Sequence, residues 1–215
     1  PKGHLVITSP TMFGRRIMLP IAIDFMRLHG DITVRLQFSN AVVDLMSEHI
    51  DLGVRIGRLA DSSLIAKQAG VVREIICAGP DYLMAQGRPL MPADIAAHQC
   101  ITYSRSDAPK EWKFRSPDGR EIRTPVVGRL SLNSVEGVVR AAKFGAGLAM
   151  VYAYQAAREI ASGELEVVLR DYEIEPLPVS FIYPRGRLIP QKVRTFIDFA
   201  LPRLQTDLDA IEARC

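Results

Sequence analysis

Short apolar strands alternate with helical segments over the first 57 residues, and this order restricts the fold more than any other feature of the chain. Residues 4–8 predict a buried strand, and residues 32–38 alternate apolar and polar side chains, which is typical of an edge strand or a strand with one wet face. Residues 51–57 predict a third strand, and helical patterns at 15–29 and 42–49 lie between the three. A β-α-β-α-β order indicates parallel strands with right-handed crossovers.

Pro20 lies inside the first helical pattern, where a proline removes a backbone hydrogen bond and clashes with the preceding turn. We therefore expect the helix either to begin only one turn before Pro20 or to kink there. Gly30 is expected to end this helix as a glycine in the left-handed conformation.

Shorter elements are predicted after residue 63. Strands are expected at 64–69, 72–78, 100–103, 130–132, 148–151, 165–169 and 179–183, and helices at 81–86, 92–98, 135–144, 153–161 and from Pro190 onward. The polar stretch 104–125 is expected to contain a hairpin around Asp118-Gly119. Gly145-Ala146-Gly147 follows a helix instead of opening one, so it indicates a helix-ending turn and not a nucleotide loop.

Polar turns follow the predicted strands at the positions where ligands bind in parallel sheets, just beyond the carboxyl ends. The helix starts at Thr11 and Ser134 also leave backbone N–H groups that attract anions. A structural role is the alternative, because such residues also cap helices, and Thr102 and Tyr103 could form an ordinary strand end. The predicted ligand-binding residues are Ser9, Pro10, Thr11, Ser39, Asn40, Gly57, Arg58, Thr102, Tyr103, Asn133 and Ser134.

Composition places the chain among ordinary globular proteins and argues against several functions. Hydrophobic residues make up 48% and charged residues 24% of the sequence, and the net charge of +3 is too small to argue for nucleic-acid binding by itself. The three cysteines are far apart and fit a reduced, cytoplasmic setting better than a disulfide framework. The sequence predicts no membrane span, no metal site, no cofactor and no catalytic constellation.

Three conspicuous side chains are expected to pack in the core. Cys77 lies in a strand-like run and is expected to be a small buried residue. Trp112 and Phe114 are expected to pack the second half of the molecule, and lining the ligand site is their alternative role.

Five sequence blocks resemble, in order, the effector-binding domain of LysR-type transcriptional regulators. They are Ser9-Pro10-Thr11 with Phe13-Gly14-Arg15 and Leu19-Pro20; residues 42–57 with 61–66; residues 77–89 with 92–101; Asn133 with 141–151; and 162–169 with Tyr183-Pro184 and 192–199. Each block is weak by itself, but their order and spacing span nearly the whole chain. The variant with Asp61-Ser62-Ser63 and Trp112 is similar to the subgroup that senses small, often aromatic or acidic, metabolites.

The resemblance implies an α/β fold of the type II periplasmic-binding-protein kind, with two Rossmann-like lobes joined by two crossover strands and a ligand in the cleft. The crossings are expected near 76–79 and 180–183, so that lobe I comprises 1–76 with 183–215 and lobe II comprises 77–182. The implied function is sensing, not catalysis: a small metabolite alters an oligomer and thereby controls transcription. A carboxylate is preferred, with Arg58 and Arg105 as candidate cations. The family binds DNA through an N-terminal winged helix-turn-helix, which is expected to precede residue 1.

The helical pattern at 15–29 carries two apolar stripes, whereas one sheet contact needs a stripe of only about 100°. One stripe is expected to pack on its own sheet and the other on a second copy. The resemblance implies a two-fold pairing of this helix with the pattern at 41–49, hence a homodimer, with a tetramer as an alternative for the full-length protein. The predicted interface residues are Ile17, Met18, Ala22, Met26, Val42 and Met46.

Three alternative functions remain open at this point. A solute-binding protein that serves a transporter would have the same two-lobed architecture, and a signal peptide upstream in the gene would favour it. An enzyme on this fold would turn over its bound metabolite. A domain used only for dimerisation would bind no metabolite at all.

Overall fold

The computed structural model describes residues 1–41, 43–58, 64–103, 110–185 and 189–215, and the chain divides into two compact units. Unit 1 comprises Pro1–Val72 with Leu177–Ala210, and unit 2 comprises Arg73–Pro176 with Ile211–Cys215. The chain therefore passes between the units at three points. The first two lie a few residues before the predicted crossings, and the third, near the end of the chain, has no counterpart in the prediction. Apolar residues continue across these points, so the sequence pattern does not mark them.

Unit 1 is built on a five-stranded mixed sheet. Its strands are β1 (Gly3–Ser9), β2 (Ile32–Phe38), β3 (Leu52–Ile56), β4 (Leu64–Val72) and β12 (Leu177–Pro184), and their order in the sheet is β2-β1-β3-β12-β4. β1 lies parallel to β2 and β3, as the alternating opening predicts, whereas β12 is antiparallel to β3 and β4. The carboxyl ends of β1, β2 and β3 therefore share one edge of the sheet.

The first helix contains an irregular segment that accommodates Pro20. α1 (Thr11–Phe13) continues into a π-helical segment (Gly14–Met18) and then into α2 (Leu19–Leu28). The amide of Leu19 donates to the carbonyl of Gly14, so the turn widens directly before Pro20, where a regular α-turn would clash with the proline ring. The helix ends at His29, and Gly30 lacks the expected left-handed conformation.

Residues 45–49 form turns and residues 43 and 44 have no regular structure, so the helix predicted at 42–49 is wrong over the described part of that range. The carboxylate of Asp44 accepts the amide of Met46 over 2.9 Å, and such local side-chain bonds compete with helix formation. His49 has a φ of 51°, a left-handed conformation that interrupts a helix. The apolar spacing alone could not reveal either effect.

The long helix α6 (Gln191–Glu212) covers the core of unit 1 with one apolar face. The ring of Phe196 packs edge-on against Phe25, with centroids 5.0 Å apart, and against Phe181, with centroids 6.5 Å apart. α2, α6 and β12 therefore meet at one aromatic centre. The buried side chains of α6 are Val193, Phe196, Ile197, Ala200, Leu204 and Leu208.

Unit 2 contains a second five-stranded mixed sheet. Its strands are β5 (Glu74–Ala78), β6 (Cys100–Tyr103), β9 (Leu130–Leu132), β10 (Leu148–Tyr152) and β11 (Glu166–Val168), and their order is β11-β5-β10-β6-β9. β6 lies parallel to both β9 and β10, whereas β5 is antiparallel to β10 and β11. The carboxyl ends of β6 and β9 therefore share one edge.

Both faces of the unit 2 sheet are covered. On one face α4 (Val135–Lys143) and α5 (Ala153–Ala161) pack against Ile75 and Cys77. On the other face α3 (Pro80–Gln86) and the hairpin of β7 (Lys110–Arg115) and β8 (Glu121–Val126) pack against Ile76 and Ala78. Trp112 and Phe114 of this hairpin are buried in that second core, which confirms their predicted packing role.

The predicted turns of unit 2 are confirmed. The hairpin turns at Gly119, whose φ is 89°. Gly145, with a φ of 77°, ends α4, and the amide of Ala146 donates to the carbonyl of Ala141 over 3.0 Å. The helix predicted at 92–98 is a 3₁₀ helix, Pro92–Ala97. Among the helices of the described ranges, none combines the length and the hydropathy that a membrane span requires.

Candidate ligand-binding site

The first two predicted loops of unit 1 begin at neighbouring strand ends. β1 and β2 pair in register up to Ser9 and Phe38, and the amide of Ser39 donates to the carbonyl of Ser9 over 3.0 Å. The hydroxyl of Ser39 accepts the amide of Ala41 over 3.1 Å. Ser9 is completely buried, and its hydroxyl lies 3.4 Å from the carbonyl of Pro10. The side chain of Ser9 therefore supports the loop from within and presents no exposed surface to a ligand.

Asn40 joins these two loops through its side chain. Its Oδ1 accepts the backbone amide of Thr11 over 2.9 Å. This amide belongs to the first helical turn, where N–H groups have no partner within the helix. A predicted anion-binding amide is thus occupied by a side chain, while Asn40 itself is exposed at the same edge. Pro10 precedes Thr11 in an extended conformation, with φ −53° and ψ 140°, and its carbonyl accepts the amide of Gly14 over 2.7 Å.

The third unit 1 loop follows β3. Gly57 has a φ of 107°, which favours glycine, and its amide donates to the carbonyl of Pro178 over 2.9 Å. Arg58 is exposed beside it and supplies a positive charge at this end of β3. Residues 59–63, which include the Asp61-Ser62-Ser63 block, lie outside the described residues.

The structure also places the unit 2 candidates at a common edge. Thr102 and Tyr103 pair in parallel register with Ser131 and Leu132, so Asn133 begins beside the end of β6. Thr102 is buried, with Oγ1 3.5 Å from the carbonyl of Leu130, whereas Tyr103 is 37% exposed. The other predicted cation, Arg105, lies outside the described residues.

Ser134 caps α4, as predicted. Its hydroxyl accepts the amide of Gly137 over 3.2 Å. Asn133 directly precedes it and is exposed. Asn133 and Tyr103 are therefore the candidates of unit 2 that combine exposure with a position at a strand end.

The predicted dimer residues fall into two groups. Ile17, Met18 and Ala22 are buried within unit 1, so their side chains have little surface left for a partner. The core of unit 1 covers more of the helix than the two-stripe pattern predicted. Met26 and Met46 are exposed, and Val42 lies outside the described residues. The exposed large apolar side chains of α2 are Leu19, Ile23, Met26 and Leu28.

The buried titratable groups of unit 2 do not resemble activated catalytic groups. Burial raises the pKa of the Cys77 thiol to about 12 and that of Cys100 to about 11, which leaves both thiols protonated and weakly nucleophilic. Burial lowers the pKa of His98, whose Nδ1 lies 3.1 Å from the hydroxyl of Tyr82. Across the described ranges, no cluster of three or more His, Cys, Asp or Glu side chains is placed to hold a metal ion.

Sequence reasoning missed one charged cluster entirely. Arg73 makes ion pairs with Glu173 and Glu212, which lie 100 and 139 positions further along the chain. Local periodicity and turn chemistry carry no information about contacts at such separations, so only the folded chain reveals them.

The sheets, helices and strand order of both units define an α/β protein of the type II periplasmic-binding-protein kind, which confirms the predicted fold class. The family model described as "LysR substrate binding domain" matches residues 1–205. The chain belongs to this family.

Similar proteins support the same assignment. The HTH-type transcriptional activator AaeR of Escherichia coli (strain K12) is 31% identical over 199 residues, covering 92% of this chain and 64% of AaeR. The full-length Vibrio cholerae virulence activator AphB, a member of the LTTR protein family, is 28% identical with a TM-score of 0.82, over 94% of this chain and 68% of AphB. The regulatory domain of AphB in Vibrio vulnificus is 26% identical with a TM-score of 0.78, over 94% of this chain and 99% of that domain.

The fractions of each relative that are covered show which part of these proteins the chain resembles. The chain spans less than two thirds of the length of AaeR, whereas it matches nearly the whole of a separately solved regulatory domain. This chain therefore corresponds to the regulatory domain of such proteins.

Proposed function

We propose that this chain is the effector-sensing domain of a LysR-type transcriptional regulator and binds a small metabolite, preferentially a carboxylate. One observation carries this proposal: in each unit, polar residues from separate segments follow parallel strands whose carboxyl ends share one edge of the sheet. In unit 1 these are Thr11, Asn40 and Arg58, and in unit 2 they are Tyr103 and Asn133. Ligands of α/β sheets bind at such edges.

The preference for a carboxylate follows from the chemistry of these edges. The amide of Asn40 and the hydroxyls of Ser39 and Tyr103 are neutral groups that can donate a hydrogen bond to a carboxylate oxygen. Arg58 adds a positive charge in unit 1, and the start of α4 behind Asn133 adds the partial positive charge of a helix N-terminus. No acidic residue is among the predicted ligand-binding residues that would oppose an anion.

The regulatory step requires a difference in affinity between two states of the protein. A metabolite that binds one arrangement of the regulatory domains better than another shifts the population toward it, and only that difference can act as a signal. In the full-length protein this shift would change how N-terminal DNA-binding domains lie on their operator in the cytoplasm. The likeness to AaeR and AphB supports this proposal, although a shared fold alone would not.

A thermal-shift screen tests the binding step directly. The panel contains benzoate, phenylacetate and succinate, each paired with its neutral amide as a control. A ligand that binds only the folded state stabilises it by about 2.7 kcal/mol at a hundred times its dissociation constant. We expect at least one carboxylate to raise the unfolding temperature and its amide to have a smaller effect. Equal shifts with the acid and the amide would contradict the carboxylate preference.

Thr11→Ala locates the site within unit 1. We expect this substitution to weaken binding of the best carboxylate more than it lowers stability. Alanine is compatible with the helical backbone but lacks the hydroxyl that could contact the ligand. Calorimetry gives the dissociation constant and urea unfolding gives the stability. An unchanged dissociation constant would remove Thr11 from the site.

The rival functions predict different outcomes. A solute-binding protein would bind its metabolite without any effect on DNA, and the regulators among the similar proteins do not favour it. An enzyme would convert the bound carboxylate, which chromatography after prolonged incubation would detect. A domain used only for dimerisation would show no response to any ligand.

We also propose that the chain forms a homodimer through the exposed apolar face of α2. Leu19, Ile23 and Met26, which share one face at helical spacing, support this proposal in place of the predicted interface residues that are buried. A sedimentation experiment at high micromolar concentration is expected to show a dimer that Ile23→Lys weakens. A wild-type monomer under those conditions would contradict the proposal for the isolated domain.

A further inference from the structure

Arg73 occupies a special place in the chain. It is the first residue of unit 2 after the first passage from unit 1, and it separates β4 from β5. Its backbone is held on both sides: the carbonyl accepts the amide of Ala153 over 2.9 Å, and the amide donates to Oε1 of Glu212 over 3.2 Å. The backbone of Arg73 is thus held by the first residue of α5 and the last residue of α6, in addition to the contacts of its side chain.

The guanidinium of Arg73 joins two carboxylates that belong to the other two passages. Nε donates to Oε2 of Glu212 over 2.6 Å, and Nη1 donates to Oε2 of Glu173 over 2.9 Å. Glu173 shortly precedes the passage at Pro176–Leu177, and Glu212 shortly follows the passage at Ala210–Ile211. Arg73 therefore belongs to one of the three segments through which the chain passes between the units, and its side chain contacts the other two.

These contacts are largely shielded from water. The side chains of Arg73, Glu173 and Glu212 are 21%, 12% and 19% exposed. Burial raises the pKa of Glu173, and the charge of Arg73 opposes that rise. Removing one partner from a buried ionic cluster leaves an uncompensated charge. The two ion pairs of Arg73 are therefore expected to form and break together.

We propose that Arg73 acts as a clamp that joins the three inter-unit segments at their unit 2 ends. When the clamp is lost, the backbone hydrogen bonds of all three segments open together. Arginine suits this role because its planar fork donates in two directions at once, whereas lysine carries a single compact charge. The last residues of the chain strengthen the clamp: Ile211 and Cys215 pack into the unit 2 core next to Glu212. The proposal concerns the free protein and does not rest on the proposed function.

Hydrogen exchange measured by mass spectrometry on the whole chain tests the clamp. In Arg73→Lys, exchange is expected to rise on the order of tenfold in three separate segments, 69–74, 170–177 and 207–215, because hydrogen bonds to a charged group are lost in each. Arg88→Lys is the matched control: Arg88 makes an exposed ion pair with Glu166 within unit 2, and its replacement is expected to leave the three segments unchanged.

The pattern of exchange decides the outcome. A rise in all three segments with the cores still protected supports the clamp. A rise confined to 69–74, or no rise in a folded protein, overturns it. If Arg73→Lys fails to fold, the triple variant Arg73→Met, Glu173→Gln, Glu212→Gln removes every charge of the cluster together and avoids an unpaired one. The same three segments must then exchange faster, and unchanged exchange there also overturns the proposal.

Discussion

The ring of Phe38 lies directly over Gly14: a Cβ on Gly14 would lie 2.3 Å from Cδ1 and 2.4 Å from Cε1 of that ring. Phe38 is the last residue of β2, directly before Ser39 and Asn40, and Gly14 follows the first helical turn after Thr11. This contact therefore sets the separation of the two loops that supply most of the unit 1 candidates.

Gly14→Ala is expected to destabilise the protein by about 1–3 kcal/mol, because the added methyl overpacks the contact with Phe38. Gly14 has ordinary helical angles, φ −58° and ψ −47°, so alanine fits the backbone and only the contact opposes it. Gly30→Ala is the control, since nothing lies within 4 Å of its Cβ position. Urea unfolding measures both, and equal stability of the two variants would contradict this account.

Asn40 offers a way to separate a structural role from a binding role. Asn40→Asp keeps an oxygen that accepts the amide of Thr11, and a negative charge is favourable at a helix start, so stability is expected to stay within about 0.5 kcal/mol. Binding of a carboxylate is expected to weaken on the order of tenfold, because like charges repel. Asn40→Ala is expected to lose about 1 kcal/mol of stability through the missing cap. Carboxylate binding of wild-type strength in the aspartate variant would remove Asn40 from the site.

His98 makes the stability of unit 2 depend on pH. Burial lowers its pKa below the ordinary value of 6.5, so the unfolded chain binds more protons than the folded chain near and below that value. The contribution of the neutral ring is therefore complete above about pH 7 and is lost as the pH falls through 6.5. Unfolding free energies measured between about pH 5 and 8 are expected to slope less steeply in His98→Gln than in the wild type.

The control for this measurement is His49→Asn. His49 is exposed and has a left-handed φ of 51°, which asparagine tolerates well. This variant removes an exposed imidazole and leaves His98 in place. A slope that drops equally in both variants would show that His98 is not the source.

The cysteines report on opening of the core. All three are free and buried, and a pKa near 12 leaves Cys77 with about a thousandfold less thiolate at pH 8 than an ordinary thiol. A disulfide reagent is therefore expected to label the folded protein slowly, with Cys215 first because it is 5% exposed whereas Cys77 is 0% exposed. Cys215→Ser is expected to remove this first phase. Rapid labelling of Cys77 in the folded protein would contradict its burial.

Much of the fold could be predicted from the sequence because its signals are local. The alternation of apolar and polar residues at 32–38 predicted β2 with correct bounds, and Asn133-Ser134 predicted the start of α4. The helix predicted at 42–49 failed because Asp44 and His49 bring local preferences that apolar spacing does not show. The π-helical turn before Pro20 was outside the two options that the sequence suggested.

The candidate site was predictable as a set of loops but not as a set of exposed groups. Strand ends follow from local pattern, so the loops at Ser39 and Asn133 lie where they were expected. Exposure depends on packing by distant residues, which is why Ser9 and Thr102 are buried and Asn40 is exposed. The same limit applies to Ile17, whose burial the two-stripe pattern could not foresee.

Calorimetric titration with the strongest carboxylate of the panel tests the proposed site most directly, on the wild type, Thr11→Ala and Arg58→Ala. Both residues lie beyond strand ends of unit 1, and Arg58 is exposed, so stability should change little. The account predicts that each variant binds at least about fivefold more weakly, equal to about 1 kcal/mol. Wild-type affinity in both variants would contradict the account.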